Sequence, residues 1–226
     1  MNAKSGTDYV FAASLIFLAS IFDAFDGKVA RWVHSASEFG AELDSICDIV
    51  SFGLAPSILI YRYEFVNLSF GGIEWLAVPL AFLPTMGGAI RLARFNVIMR
   101  GKLDHKKHFT GMPIPAAANT VGAYVIFTEL VWQNSLSHAL SPYLVAILAI
   151  LMVSRIRYDS LPRLSWKQNG VERFKLVILI AAFILFVTLR EIAFFPLMIL
   201  YIVSGLLNSA IDLFKHRQPQ TEGSLS

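Results

Sequence analysis

Four aspartates stand within 26 residues near the start of the chain: Asp23 and Asp26, then Asp44 and Asp48. The first two are spaced i, i+3 and the second two i, i+4, so on helices each pair projects from one face. Carboxylates grouped in this way repel one another unless a cation sits between them. An all-carboxylate donor set suits Mg²⁺, Mn²⁺ or Ca²⁺ and argues against zinc. Gly40 lies one turn before Asp44 on the same face, where a missing side chain lets a ligand or another backbone come close.

The elements that must hold these carboxylates are very apolar. Of 226 residues, 56% are hydrophobic and 15% charged, whereas ordinary globular domains carry about 25% charged residues. A bilayer-spanning helix takes roughly 20 predominantly apolar residues, and runs such as 176–189 and 193–211 have that character. The fold class is therefore all-α, a polytopic transmembrane helical bundle. About seven spans are predicted, near 8–26, 38–61, 74–96, 113–132, 139–156, 174–189 and 193–213. No loop is long enough for an extramembrane domain, so 1–214 reads as one domain and 215–226 as a polar tail expected to be disordered. The stretch Tyr9 to Phe22 lacks a basic leader and a small-residue cleavage site, and is read as a retained helix.

Ser35-Ala36-Ser37-Glu38 reads as a capping box that opens the second helix. The link is short, so the first two helices should be near-antiparallel neighbours with their carboxylate pairs brought together. A carboxylate at a helix centre in a bilayer costs roughly 2.5–3.5 kcal/mol. The aspartates are therefore expected to line a water-accessible cavity at the helix ends.

Orientation follows from the basic residues. One side of the predicted bundle, the aspartate side, collects 16 of the 19 Lys and Arg; Lys4, Arg62 and Arg190 are left on the other. Basic loops stay in the cytoplasm, so the aspartates should face it. The pI near 9.0 then reports topology rather than a nucleic-acid partner. The basic loops at 100–107 and 155–175 read as contacts to anionic lipid. Seven spans with a cytoplasmic C-terminus put Met1 outside, a start that implies a helix upstream. Cys47 is the single cysteine, which excludes an intrachain disulfide and a cysteine-built metal site. His34, His105, His108, His138 and His216 lack ligand spacing and carry no assignment.

Two further segments carry polar or stiff chemistry. Gly88-Ala89-Ile90-Arg91-Leu92-Ala93-Arg94-Phe95-Asn96 closes the third span, with Arg91 and Arg94 at i, i+3 beside the aspartates. Phe109-Thr110-Gly111-Met112-Pro113-Ile114-Pro115-Ala116-Ala117-Ala118-Asn119 predicts a stiff turn and then a closely packing helix.

The stretch Asp23-x2-Asp26-Gly27-x2-Ala30-Arg31-x8-Gly40-x3-Asp44-x3-Asp48 resembles, at every defining position, the signature of the CDP-alcohol phosphatidyltransferases. These integral membrane enzymes move a phosphatidyl or similar group from a CDP-linked donor to an alcohol, releasing CMP. The resemblance implies Asp23, Asp26, Asp44 and Asp48 as ligands of Mg²⁺ or Mn²⁺, with Asp48 as general base. It implies that Gly27, Ala30 and Gly40 leave room for the nucleotide and diphosphate, and that Arg31 offers a forked donor to phosphate.

The Arg91 and Gly111 segments are similar to stretches of the phosphatidylserine synthases of that family, so the resemblance runs from about Leu15 to Asn119. It implies CDP-diacylglycerol and L-serine as substrates, membrane lipids as surroundings and a homodimer. Arg91 or Arg94 would pair with the serine carboxylate. Glycerol 3-phosphate, inositol phosphate or choline are the alternative acceptors. A divalent-cation transporter is the reading from another class. It would require acids at mid-membrane on several helices, and apart from Asp8 and Glu74 at the very span ends, Glu129 is the only other acid within the outer half of a marked span. Family members usually carry a transmembrane helix before the one with the first aspartates; this chain begins almost directly with the latter, so that usual first helix is expected to be missing from it.

Overall fold

A computed structural model of the chain describes residues 6–32, 38–67, 74–100, 111–132, 136–156, 158 and 193–215, and its regular elements are all helical. Helix α1 spans Gly6–Trp32. Helix α2, Glu38–Asp48, passes through a π-helical segment, Ile49–Leu54, straight into α3, Ala55–Tyr63. The short α4, Ala77–Ala81, precedes α5, Leu83–Arg100. Helix α6, Ile114–Phe127, ends in a second π segment, Thr128–Trp132. Helices α7, Leu136–Val153, and α8, Phe194–Lys215, complete the described elements.

Among the described residues, three stretches are long and apolar enough to cross a membrane: Gly6–Asp26, Phe39–Tyr63 and Ile114–Trp132. Two shorter apolar helices among the same residues are Ala139–Val153 and Phe194–Ser209. The expected span at 74–96 is helical but broken at Phe82, between α4 and α5. Pro84 causes this: it restricts Leu83 and has no amide hydrogen to continue the ladder. The expected span at 174–189 lies outside the described residues.

Helix α1 shows why the bundle belongs in lipid. Phe11, Leu15, Leu18, Phe22 and Phe25 recur every three or four residues along one exposed stripe, while Ala13 and Ile16 are buried on the other. Such a stripe is unfavourable in water and at home against acyl chains. Its buried face packs on α6, the most enclosed helix, where Ala117, Ala118, Val121, Tyr124, Val125 and Ile126 are all almost fully covered.

The registers fix the direction of each helix. Ala13 and Phe17 sit over Gly122, and Ser20 meets Asn119, so α1 and α6 are antiparallel. The Tyr9 hydroxyl donates to the Arg62 carbonyl at 3.3 Å and its ring meets that of Tyr63 at 5.1 Å, so α1 also runs against α3. Ser57 and Thr85 share a 2.8 Å hydrogen bond where α3 crosses α5. Helices α5 and α7 run parallel and very close: a Cβ at Gly87 would lie 3.1 Å from the Ala149 carbonyl oxygen. Glycine there permits the backbone approach that helix packing in lipid favours.

The end of the bundle remote from the aspartates is closed by aromatic and acidic side chains. Glu64, fully buried, accepts from the Tyr124 hydroxyl at 3.3 Å, and Glu129 accepts from the Tyr63 hydroxyl at 2.9 Å. The rings of Phe127, Trp132 and Phe195 stack around them at 5.3 to 6.4 Å.

Candidate active site

The inward face of α1 carries Ala13, Ile16 and Ser20, and the next residue on that face is Asp23. Asp23 is accordingly half-buried, whereas Asp26, three residues on, is exposed. On α2 the inward positions are Glu42, Ser45 and Asp48, all half-buried, and Asp44 is exposed beside Leu43. Helix α1 ends near its carboxylates and α2 begins near its own, so all four fall at one end of the bundle. Asp23 lies in the electrostatic field of Asp26 and Asp44, and Asp48 in that of Asp23, Asp44 and Arg91. Two carboxylates about 6 Å apart repel by about 3 kcal/mol at an effective dielectric near 20. This end of the bundle thus attracts cations.

The π segment starts at the residue after Asp48. The Ala55 N–H donates to the Val50 carbonyl, five residues back instead of four. Pro56 has no N–H to offer the Phe52 carbonyl, and Gly53 lies against Thr85 of α5, so the wider turn forms where the α-helical ladder is already interrupted. Segments of this kind recur at functional sites, where they re-aim the residues beside them.

Arg91 and Arg94 occupy different surroundings. Arg94 donates to the carbonyl oxygens of Val153 at 3.1 Å and Ser154 at 3.3 Å, at the C-terminal end of α7. Orphan carbonyls at a helix end favour such a cationic donor. Arg91, one turn earlier, is half-buried in the field of Asp48 and Tyr201, and its Nε is buried with no hydrogen-bond partner. Of the two, Arg91 is the guanidinium beside the aspartates with donor capacity to spare.

The Gly111 turn closes the same end of α7. Gly111 adopts φ +88° and donates to the Ile156 carbonyl at 2.8 Å, and Met112 donates to Leu151 at 3.0 Å. A side chain at Gly111 would run into the Met152 carbonyl. Pro113 then caps α6, with Pro115 in its first turn. Gly40 is exposed in the first turn of α2. Gly27, Ala30 and Arg31 continue α1, and their side chains lie outside the described residues.

Two hydrogen bonds near the carboxylates were not anticipated. The Ser20 hydroxyl meets Asn119 Oδ1 at 2.9 Å, and Asn96 Nδ2 donates to Ser45 Oγ at 3.2 Å. The available signal was a serine three residues before Asp23 and another three before Asp48; their partners are distant in the chain.

Among the described residues, no three His, Cys, Asp or Glu side chains are already gathered at ligand spacing. The donor set nonetheless fits a hard divalent cation. It is all carboxylate, convergent on one end and mutually repelling, and a dication would relieve that repulsion.

Residues 3–154 match the family described as CDP-alcohol phosphatidyltransferase. The chain belongs to this family. The matched region contains the four aspartates, both arginines and the Gly111 turn, and stops where Arg94 meets the end of α7. CDP-alcohol phosphatidyltransferases are generally divalent-cation dependent, in keeping with the donor set.

Among individual proteins, the chain is 36% identical over 205 residues to the CDP-diacylglycerol--serine O-phosphatidyltransferase of Helicobacter pylori, covering 90% of this chain and 81% of that one. It is 41% identical over 149 residues to the protein of the same name from Methanocaldococcus jannaschii, covering 66% of this chain and 64% of that one. It is 38% identical over 152 residues to the archaetidylserine synthase of Methanothermobacter thermautotrophicus, covering 65% and 57% respectively.

Proposed function

We propose that the protein transfers the phosphatidyl group of CDP-diacylglycerol to the hydroxyl of L-serine, giving phosphatidylserine and CMP. The observation that carries this reading is the placement of Asp23, Asp26, Asp44 and Asp48 at one end of an apolar bundle, with Asp23 in the field of Asp26 and Asp44 and Asp48 in that of Asp23, Asp44 and Arg91. The names of the relatives support serine as the acceptor: they share the serine half and differ in the lipid.

Asp23, Asp26 and Asp44 would hold Mg²⁺ or Mn²⁺, with Asp48 at the edge of the same set. The cation, when bound, neutralises charge on the donor diphosphate and on the departing CMP oxygen. Gly40 leaves the start of α2 open to the nucleotide, with Gly27, Ala30 and Arg31 as its further contacts. Asp48 accepts the serine hydroxyl proton as that oxygen bonds to the phosphatidyl phosphorus and the bond to CMP breaks. Arg91 pairs with the serine carboxylate through a charge-assisted hydrogen bond. Arg94 braces α5 against the end of α7 and so sets where Arg91 stands.

Sixteen of the 19 basic residues fall on the aspartate side in the span assignment, which supports a reaction on the cytoplasmic face of the membrane. The test is a panel of radiolabelled acceptors supplied with CDP-diacylglycerol and Mg²⁺ or Mn²⁺. Serine should be the alcohol incorporated into lipid. Preferential incorporation of glycerol 3-phosphate, inositol phosphate or choline would overturn the acceptor while keeping the chemistry. Metal flux into proteoliposomes without CMP release would overturn both in favour of a transporter.

A further inference from the structure

Helices α1 and α2 share few contacts of their own among the described residues, although α1 touches the π segment and α3 that continue α2. Helix α1 packs chiefly along α6, and the π segment that follows Asp48 packs against α5 and also against α6 and α1. Four like charges also push their two supports apart. At the level of the site itself, links from α5 and α6 therefore bear on how the carboxylate pairs face.

Such links are present, one per helix, each a serine–asparagine pair within one turn of a carboxylate. Ser20 Oγ lies 2.9 Å from Asn119 Oδ1 of α6, and Asp23 follows three residues later on the same inward face. Asn96 Nδ2 of α5 donates at 3.2 Å to Ser45 Oγ, which is one residue after Asp44 and three before Asp48. Ser45 is also tied to its own helix, and the single Ser20 hydroxyl hydrogen is shared between Asn119 and the carbonyl one turn back. Ser45 donates to the Ala41 carbonyl at 3.1 Å, and Ser20 lies 3.2 Å from that of Ile16. A pull on either hydroxyl is thus passed to the helix backbone. A neutral amide suits this task, because it adds no charge to compete for the cation.

We infer that Asn119 and Asn96 are positioning residues for the cation, each locking the rotation of one aspartate-bearing helix through Ser20 and Ser45. The inference rests on the proposed role of the aspartates as cation ligands. Groups that orient metal ligands typically cost 10- to 100-fold in metal affinity or activity when removed.

The test measures the Mn²⁺ dissociation constant of full-length protein in detergent from the loss of the free Mn²⁺ electron paramagnetic resonance signal, beside the Mn²⁺ concentration giving half-maximal CMP release. Asn119→Ala, Ser20→Ala, Asn96→Ala and Ser45→Ala should each raise both about tenfold. The double variants within each pair should be no worse than the worse single, because either change already breaks the link. The serine variants remove only one oxygen each, so they keep the test available if an asparagine variant folds poorly, as judged by its melting temperature.

An unmoved Mn²⁺ constant in all four, with only the melting temperature lowered, would overturn the inference. So would a raised serine KM at constant Mn²⁺ requirement, which would mark a substrate contact. Asp23→Asn serves as the control. If it shifts the constant and the pairs do not, only the inference falls. If it does not shift the constant, the aspartates do not hold the cation and the reading beneath the inference falls too.

Discussion

Arg94 Nη1 donates to the Val153 carbonyl oxygen at 3.1 Å, joining α5 to the C-terminal end of α7. Arg91, on the preceding turn, instead lies in the electrostatic field of Asp48. Two arginines at helical spacing within one motif therefore occupy different surroundings, one bonded to the end of α7 and one in the field of an aspartate.

Their substitution should separate binding from folding. Arg91→Ala is expected to raise the serine KM about tenfold or more, the worth of one charge-assisted hydrogen bond of about 1.5–3 kcal/mol. Arg94→Ala should lower the melting temperature with a smaller effect on serine KM. Steady-state kinetics and thermal unfolding in detergent check both. A serine KM that moves more for Arg94 than for Arg91 would reverse the assignment.

The Gly111 turn should tolerate no side chain. Its φ of +88° lies where L-residues are strained, and an added Cβ would meet the Met152 carbonyl. Gly111→Ala is expected to cost at least about 1–2 kcal/mol and to loosen the end of α7. The readout is the melting temperature, with lost activity following it. An unchanged melting temperature would contradict the turn geometry.

Metal removal should be reversible and selective. Chelation is expected to stop CMP release, and Mg²⁺ or Mn²⁺ to restore it, because an all-carboxylate donor set favours hard cations. Activity that survives exhaustive chelation would exclude a role for the aspartates as cation ligands.

The remote acids should matter for folding alone. Tyr124→Phe leaves the fully buried Glu64 without the Tyr124 donor, at an expected cost of about 1–3 kcal/mol. Glu129→Gln keeps a partner for the Tyr63 hydroxyl and should leave transfer nearly unchanged. A transporter would instead show altered metal flux in both variants, measured in proteoliposomes.

What could be read from the sequence was what depends on neighbours in the chain. The apolar runs marked most of the helices, and the i, i+3 and i, i+4 spacings placed the aspartates in pairs. The same spacings could not say which member of each pair turns inward, since that depends on α6 lying beside Ala13, Ile16 and Ser20. The break at Phe82 was foreshadowed by Pro84, but the long apolar stretch around it masked the signal. The π segment after Asp48 needs both Pro56 and the contact of Gly53 with Thr85, and only the proline is visible locally. The different surroundings of Arg91 and Arg94 were hidden for a similar reason. They follow from the end of α7, some 60 residues further along the chain, closing against α5.

The most direct test of the proposed chemistry is Asp48→Asn, compared with the native chain for conversion of radiolabelled serine into phosphatidylserine and for CDP-diacylglycerol binding. The native protein should form labelled lipid and CMP in equal amounts. The variant should lose at least about 100-fold in turnover, the typical contribution of a general base, while still binding the donor. Near-native turnover by the variant, or CMP release from the native protein without labelled phosphatidylserine, would contradict the assignment.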